Sequence, residues 1–236
     1  MSVAQKQVVV VAGVGPGNGA ALARRFATSG CAVAMLARNR RTLDALENEI
    51  AGSRGYECDV RSRNDVARVF AAIRADLGEV CILVYNAGSG LFGDIERITP
   101  EDFEESWRVN ACGALLCAKE VIPAMKAAGA GSIVFIGATA SRRGGPNSAA
   151  FAPAKAAQRS LAESMARTLW PLRIHVCLIV VDGVVDLART RSAMPDKPES
   201  FFIKPSGVAE IAYQLTQQDP SAWSFEVEAR PFGERW

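Results

Sequence analysis

The sequence predicts an α/β fold: a doubly wound sheet of about seven mostly parallel strands, with helices on both faces. Three observations predict it. Short β-branched runs alternate with longer segments of helical spacing from one end of the chain to the other. The runs are apolar throughout, as strands covered on both faces are. A glycine-rich loop joins the first run to the first helical segment.

Taken in order, the strands fall at 7–12, 31–37, 80–85, 132–136 and 173–181, with another closed by Cys58-Asp59-Val60 and a last, edge strand near 224–228. Leu22, Ala23 and Phe26 share one face of a helix over about 17–29. Leu43, Leu46 and Ile50 mark a second helix, and Val66, Val69, Phe70 and Ile73 a third. Ser62 and Asp65 form a capping pair before the third. Thr99-Pro100-Glu101-Asp102 reads as an N-cap, Pro at the first helical position and acids in the first turn. That opens a long helix to about residue 126, with Pro123 as a candidate kink. Further helices run over about 150–170 and 206–217. Right-handed crossovers then fold residues 1–236 as one Rossmann-type domain.

The composition narrows the function. The chain has 236 residues, 27 Lys and Arg against 25 Asp and Glu, and a net charge of +2, too balanced to direct it to nucleic acid. The longest apolar runs fall far short of the roughly 20 residues of a membrane helix, and the N-terminal run dissolves into glycines with no cleavage pattern. Six cysteines without C-x-x-C spacing, and one His, predict buried reduced thiols in a cytoplasmic protein and no metal site. One His and three Tyr also leave few groups for proton transfer.

The loop Gly13-Val14-Gly15-Pro16-Gly17-Asn18-Gly19 lies between a strand and a helix. Glycine there permits positive φ and close approach of a phosphate, and the helix N-terminus offers free N–H donors to a pyrophosphate. A dinucleotide is therefore expected. The second strand ends at Ala37-Arg38-Asn39-Arg40-Arg41. An acid at that point hydrogen-bonds the ribose of NAD, whereas cations suit a 2′-phosphate, so NADP is favoured over NAD.

These pieces, with Asp59-Val60, Asn86-Ala87-Gly88, Asn110 and Lys155 in order, resemble the short-chain dehydrogenase/reductase family over nearly the whole chain. The resemblance implies that Asp59 contacts adenine and that Asn86 steadies the cofactor site. It also implies that Asn110 serves a proton relay and that Lys155 binds the nicotinamide ribose. The expected cofactor-binding set is Gly13, Gly15, Gly17, Asn18, Gly19, Arg38, Asp59, Val60, Asn86, Ala87, Gly88, Lys155 and Gly183, with Lys155 and Asn110 also catalytic.

The chain departs from the family at the reacting end. The family has a Tyr four residues before the Lys and a Ser thirteen before that Tyr; here Phe151 and Ala138 stand in those places. A phenol donates a proton to a carbonyl oxygen, and Phe has none to give. Thr139 is the nearest substitute, although neighbouring strand residues point to opposite faces. Ser148 is a candidate N-cap of the helix that carries Lys155, and Pro153 falls in that helix's opening turns. Tyr85 and His175 read as core residues. Asp182, where the family has Pro before Gly183, either sits near the nicotinamide carboxamide or caps the following loop.

The 186–204 segment matches the family's substrate loop, in which Phe201 and Phe202 either cover an apolar small-molecule substrate or dock the loop on the core. The resemblance also implies a homodimer or homotetramer built on the two long helices. Leu161, Met165 and Leu169 face either the partner or their own sheet. Two functions follow: an NADP(H)-dependent oxidoreductase with an altered site, acting on an activated C=C or a carbonyl, or a non-catalytic dinucleotide-binding sensor or scaffold.

Overall fold

A computed structural model describes residues 6–233. Seven strands make one sheet in the order β3-β2-β1-β4-β5-β6-β9. They are β1 (Val8–Ala12), β2 (Ala32–Ala37), β3 (Ser53–Glu57), β4 (Val80–Tyr85), β5 (Gly131–Ala138), β6 (Ile174–Val181) and β9 (Glu226–Ala229). Every pairing is parallel, including the edge pairing of β6 with β9. The order reverses between β1 and β4, so the crevice beyond the carboxyl ends of those two strands is where a doubly wound sheet binds ligands.

The strand period of two divides the core. Val8, Val10 and Ala12 face one layer, with α3 (Arg63–Leu77), α5 (Gly113–Ala128) and α6 (Phe151–Leu169) packed on it. Val9 and Val11 face the other, covered by α1 (Asn18–Thr28), α2 (Arg40–Glu49) and α8 (Pro205–Thr216). The expected helical faces are buried: Leu22, Ala23 and Phe26 on α1, and Val66, Val69, Phe70 and Ile73 on α3. Ser62 caps α3 by accepting from the Asp65 N–H.

The long helix over 99–126 is not continuous. Thr99 and Asp102 form a reciprocal cap on α4 (Pro100–Trp107), as expected. A five-residue π-helical segment, Arg108–Cys112, then separates α4 from α5. A π turn leaves backbone carbonyls without their usual partner. Val109 O is taken by the Tyr85 hydroxyl at 2.5 Å. Gly113 permits that reach, since a Cβ there would lie 2.4 Å from the same hydroxyl. The interruption is therefore built around Asn110, well before Pro123.

The other differences are local. The third strand stops at Glu57, so Cys58, Asp59 and Val60 follow its end. Ser148 does not cap α6: its hydroxyl bonds Gly145, and Ala150 precedes the helix with no side-chain cap. Pro153 is the third residue of α6, where a missing N–H costs nothing. Met165 and Leu169 belong to the core of their own chain, with Leu161 packed against it, so they do not form an outward apolar face. Phe103, Trp107 and Leu115, on α4 and α5, are the large exposed apolar residues of this region. No helix among the described residues is long and apolar enough to cross a membrane.

Between β6 and α8 the chain forms β7 (Val184–Val185), α7 (Ala188–Ala193) and β8 (Phe202–Ile203), with β7 and β8 paired in parallel. Phe202 is buried, Phe201 meets its ring edge-on at 5.2 Å, and the adjacent Ile203 joins the core and docks the segment there.

Candidate active site

The glycine loop leaves β1 and turns under β2, where the Gly13 and Val14 N–H groups donate to Leu36 O. Gly13 has φ +91°, and a Cβ on it would stand 2.4 Å from the Ala87 backbone. Gly19 is as constrained, with Gly13 O 2.6 Å from a notional Cβ. Asn86 donates from Nδ2 to Gly13 O at 2.7 Å, which ties the end of β4 to the loop. These contacts build a cavity of about 380 Å³ beyond the ends of β1 and β4.

Most of the expected cofactor residues line it: Gly13, Gly15, Asn18, Gly19, Arg38, Asp59, Val60, Asn86, Ala87 and Gly88. Three do not. Gly17 lies at the back of the loop, under Leu187. Gly183 packs against Pro231 and Ile203, away from the cleft. Lys155 stands behind Gly88, its Nζ 3.7 Å from where a Gly88 Cβ would be. The cradle accommodates a dinucleotide: Gly13 and Gly19 have no room for a side chain, and the buried Asn18 Oδ1 within it has no partner among the described residues. The charges at the cavity's outer end are only partly those expected. Arg38 lines the cavity, but Arg40 turns away to Asp44, Glu47 and Gly55 O, and Asn39 caps α2. Asp59 pairs with Arg61, whose guanidinium holds the carboxyl below its usual range and also reaches Glu105.

At the inner end the π segment sets Asn110 into the core. Its Nδ2 donates to Ser106 O at 2.8 Å and to Ser89 Oγ at 3.1 Å, while its Oδ1 is buried without a partner among the described residues, 3.2 Å from a notional Gly88 Cβ. Lys155 is buried and donates to Ile136 O at 2.8 Å and Gln158 Oε1 at 3.1 Å. Burial brings its ammonium down to about 7. The Phe151 ring centroid is 6.0 Å from Lys155 Nζ, so the two share a helix face, and Phe92 packs on that ring at 5.0 Å.

The nearby hydroxyls are committed elsewhere. Thr139 lies in the turn after β5 and donates to Asp182, which also pairs with Arg230. Asp182 therefore anchors β6 to the segment after β9, and neither caps the following loop nor presents a free carboxyl. Ser141 Oγ accepts from the Ala138 N–H. His175 sits in the core between Leu215 O and Ser224 O, stacked on Trp223 at 4.7 Å, and Tyr85 is fully buried. Sequence reasoning did not single out Arg61, Gln158, Ser89 or Arg189. The spacing of Arg61 two residues after Asp59, and of Gln158 three after Lys155 on a helix, carried a signal. Ser89 adjoins the expected Gly88, whereas Arg189 reaches the cleft only through the tertiary fold.

The short chain dehydrogenase family model matches residues 7–197. The chain belongs to the short-chain dehydrogenase family. It is thus an NAD(P)-dependent oxidoreductase by family. The 3-oxoacyl-[acyl-carrier-protein] reductase MabA of Mycobacterium tuberculosis is 31% identical over 221 residues, 90% of this chain and 86% of that protein. A short-chain dehydrogenase from Rhodopseudomonas palustris superposes with a TM-score of 0.82 at 35% identity, covering 96% of this chain and 99% of the other. A metagenomic short-chain oxidoreductase in complex with NADP gives 0.82 at 28% identity, covering 97% and 98%.

Proposed function

We propose that this short-chain dehydrogenase uses NADP(H) and reduces an activated C=C bond or carbonyl of an apolar small molecule without a tyrosine acid. What supports the reading is a glycine-lined cleft fit for a dinucleotide in a chain where Phe151 and Ala138 stand at the positions of the family's two hydroxyls. When bound, a nicotinamide nucleotide supplies the hydride. Gly13, Gly19 and Asn86 shape its cradle, and Arg38 faces the 2′-phosphate. Phe92 and Phe151, whose rings are in contact, offer the substrate an apolar surface. Reduction of an activated C=C leaves a stabilised carbanion, which needs less help at oxygen than ketone reduction does. The proton then comes from water or, through water, from Lys155, whose ammonium titrates near neutrality. Thr139 is excluded from that role by its bond to Asp182.

The NADP complex of the metagenomic relative supports the cofactor assignment. Exposed Phe103, Trp107 and Leu115 support pairing with a second copy, and the free thiols are consistent with a cytoplasmic site of action.

The test is a fluorescence titration with NADPH and NADH, followed by NADPH oxidation across a panel of enals, enones and ketones. We expect tighter NADPH binding, a preference that Arg38→Ala removes, and turnover favouring conjugated C=C substrates. Phe151→Tyr with Ala138→Ser is expected to raise ketone reduction by roughly 10²–10⁴-fold. Saturable binding with no turnover on any substrate would instead leave a dinucleotide-binding sensor or scaffold.

A further inference from the structure

We infer that Arg189, on the short helix α7, is a cofactor-binding residue that closes over the diphosphate of the dinucleotide. The inference rests on the reading that a dinucleotide fills the cleft between β1 and β4.

Four observations carry it. First, Arg189 comes from a remote part of the sequence yet lines the same cavity as the glycine loop. Second, α7 is fixed to that loop at its root. The Leu187 side chain rests on Gly17, so closely that a Cβ there would lie 2.6 Å from Leu187 Cδ2. Gly17 immediately precedes α1, where free N–H groups gather around a pyrophosphate.

Third, the two residues that follow Arg189 are bonded within their own segment. Thr190 donates to Val185 O at 2.6 Å. Arg191 makes a two-point bond to Asp186 at 2.7 and 2.9 Å and lies over the Phe202 ring. Residues two apart on a helix project to nearly opposite sides, so anchoring Arg191 outward turns Arg189 to the cleft.

Fourth, the charge is unspent. Arg189 makes no hydrogen bond or ion pair among the described residues, and it is exposed. The two carboxylates lining the cavity, Asp59 and Glu105, are both held by Arg61. An anion entering the cleft therefore meets Arg189 without competition from an acid on the wall. A planar guanidinium matches two phosphate oxygens at once. Arg38 stands at the opposite, adenosine end, which separates the two cations by ligand group: the 2′-phosphate for Arg38 and the diphosphate for Arg189.

The separation makes the test specific. NADPH and NADH both carry the diphosphate, and only NADPH carries the 2′-phosphate. Dissociation constants are measured for both by fluorescence titration of the wild type, Arg189→Ala, Arg189→Lys and Arg38→Ala, with circular dichroism confirming that each variant is folded. Arg189→Ala is expected to weaken both nucleotides by the same factor, roughly 10- to 100-fold, as loss of a charge-assisted bond does. Arg189→Lys should recover part of the loss, because the charge returns without the two-point geometry. Arg38→Ala should weaken NADPH alone. Unchanged affinities in Arg189→Ala, or a loss confined to NADPH, overturn the inference while the cofactor reading stands. A wild type that binds neither nucleotide defeats the cofactor reading itself.

Discussion

Replacing Lys155 by Met measures what the fold exacts for enclosing an ammonium behind the cleft. Burial lowers the Lys155 pKa from 10.5 to about 7. At about 1.36 kcal/mol per unit, that span corresponds to at most roughly 5 kcal/mol. The acceptors Ile136 O and Gln158 Oε1 favour the charged form and work against the shift. The sign follows from proton counts. Below about pH 7 folded and unfolded chains both hold the proton, and the burial penalty is fully present. Between about pH 7 and 10.5 the unfolded chain keeps a proton that the folded chain has released, so this group makes stability rise with pH. Methionine has a similar shape and no titration, so it removes the slope. Urea unfolding of both proteins, followed by tryptophan emission, isolates the effect, because titrations common to both cancel in the difference. The stability of the wild type relative to Lys155→Met is expected to rise by roughly 2–3 kcal/mol from about pH 6 to about pH 9. Parallel curves over that window would show that the two hydrogen bonds keep Lys155 charged, and would refute its use as a proton source near neutrality.

Two further substitutions probe the scaffold around the cleft. Gly13→Ala places a Cβ 2.4 Å from the Ala87 backbone at φ +91°, so it should cost at least about 3 kcal/mol in chemical unfolding and abolish NADPH binding. Retained binding would mean that the loop and β4 separate more easily than their contact implies. Asp182→Asn weakens the link to Arg230 and Thr139 but leaves Arg230 its second partner, Glu228. It should lower stability by roughly 1–3 kcal/mol in the same unfolding assay, and an unchanged midpoint would refute an anchoring role.

The strands and the glycine loop were legible because their determinants are local. The apolar runs that mark β1, β4 and β6 need no partner to be recognised, and Gly13 and Gly19 announce a backbone that no side chain permits. The break in the long helix was not legible. Nothing in the period of residues 99–126 marks a π turn at Arg108–Cys112, since its Val109 carbonyl is satisfied by Tyr85, a residue at the end of β4. Ser148 looked like a cap because serine is a good one, but Gly145 took its hydroxyl. Asp182 offered two local roles and has a third, because Arg230 lies 48 residues further on.

By itself, then, the sequence determined the layered α/β architecture, the dinucleotide cradle and the absence of a hydroxyl at residues 151 and 138. Each follows from residue type at a position: period, lack of a side chain, lack of a proton. Tertiary structure decided which polar groups are spent and which are available. It committed Thr139 to Asp182 and Asp59 to Arg61, enclosed Lys155 where its charge is costly, and brought Arg189 to the cleft with no partner among the described residues. Those outcomes depend on distances between segments far apart in the chain, and hydrogen bonding and desolvation act only once folding has set those distances.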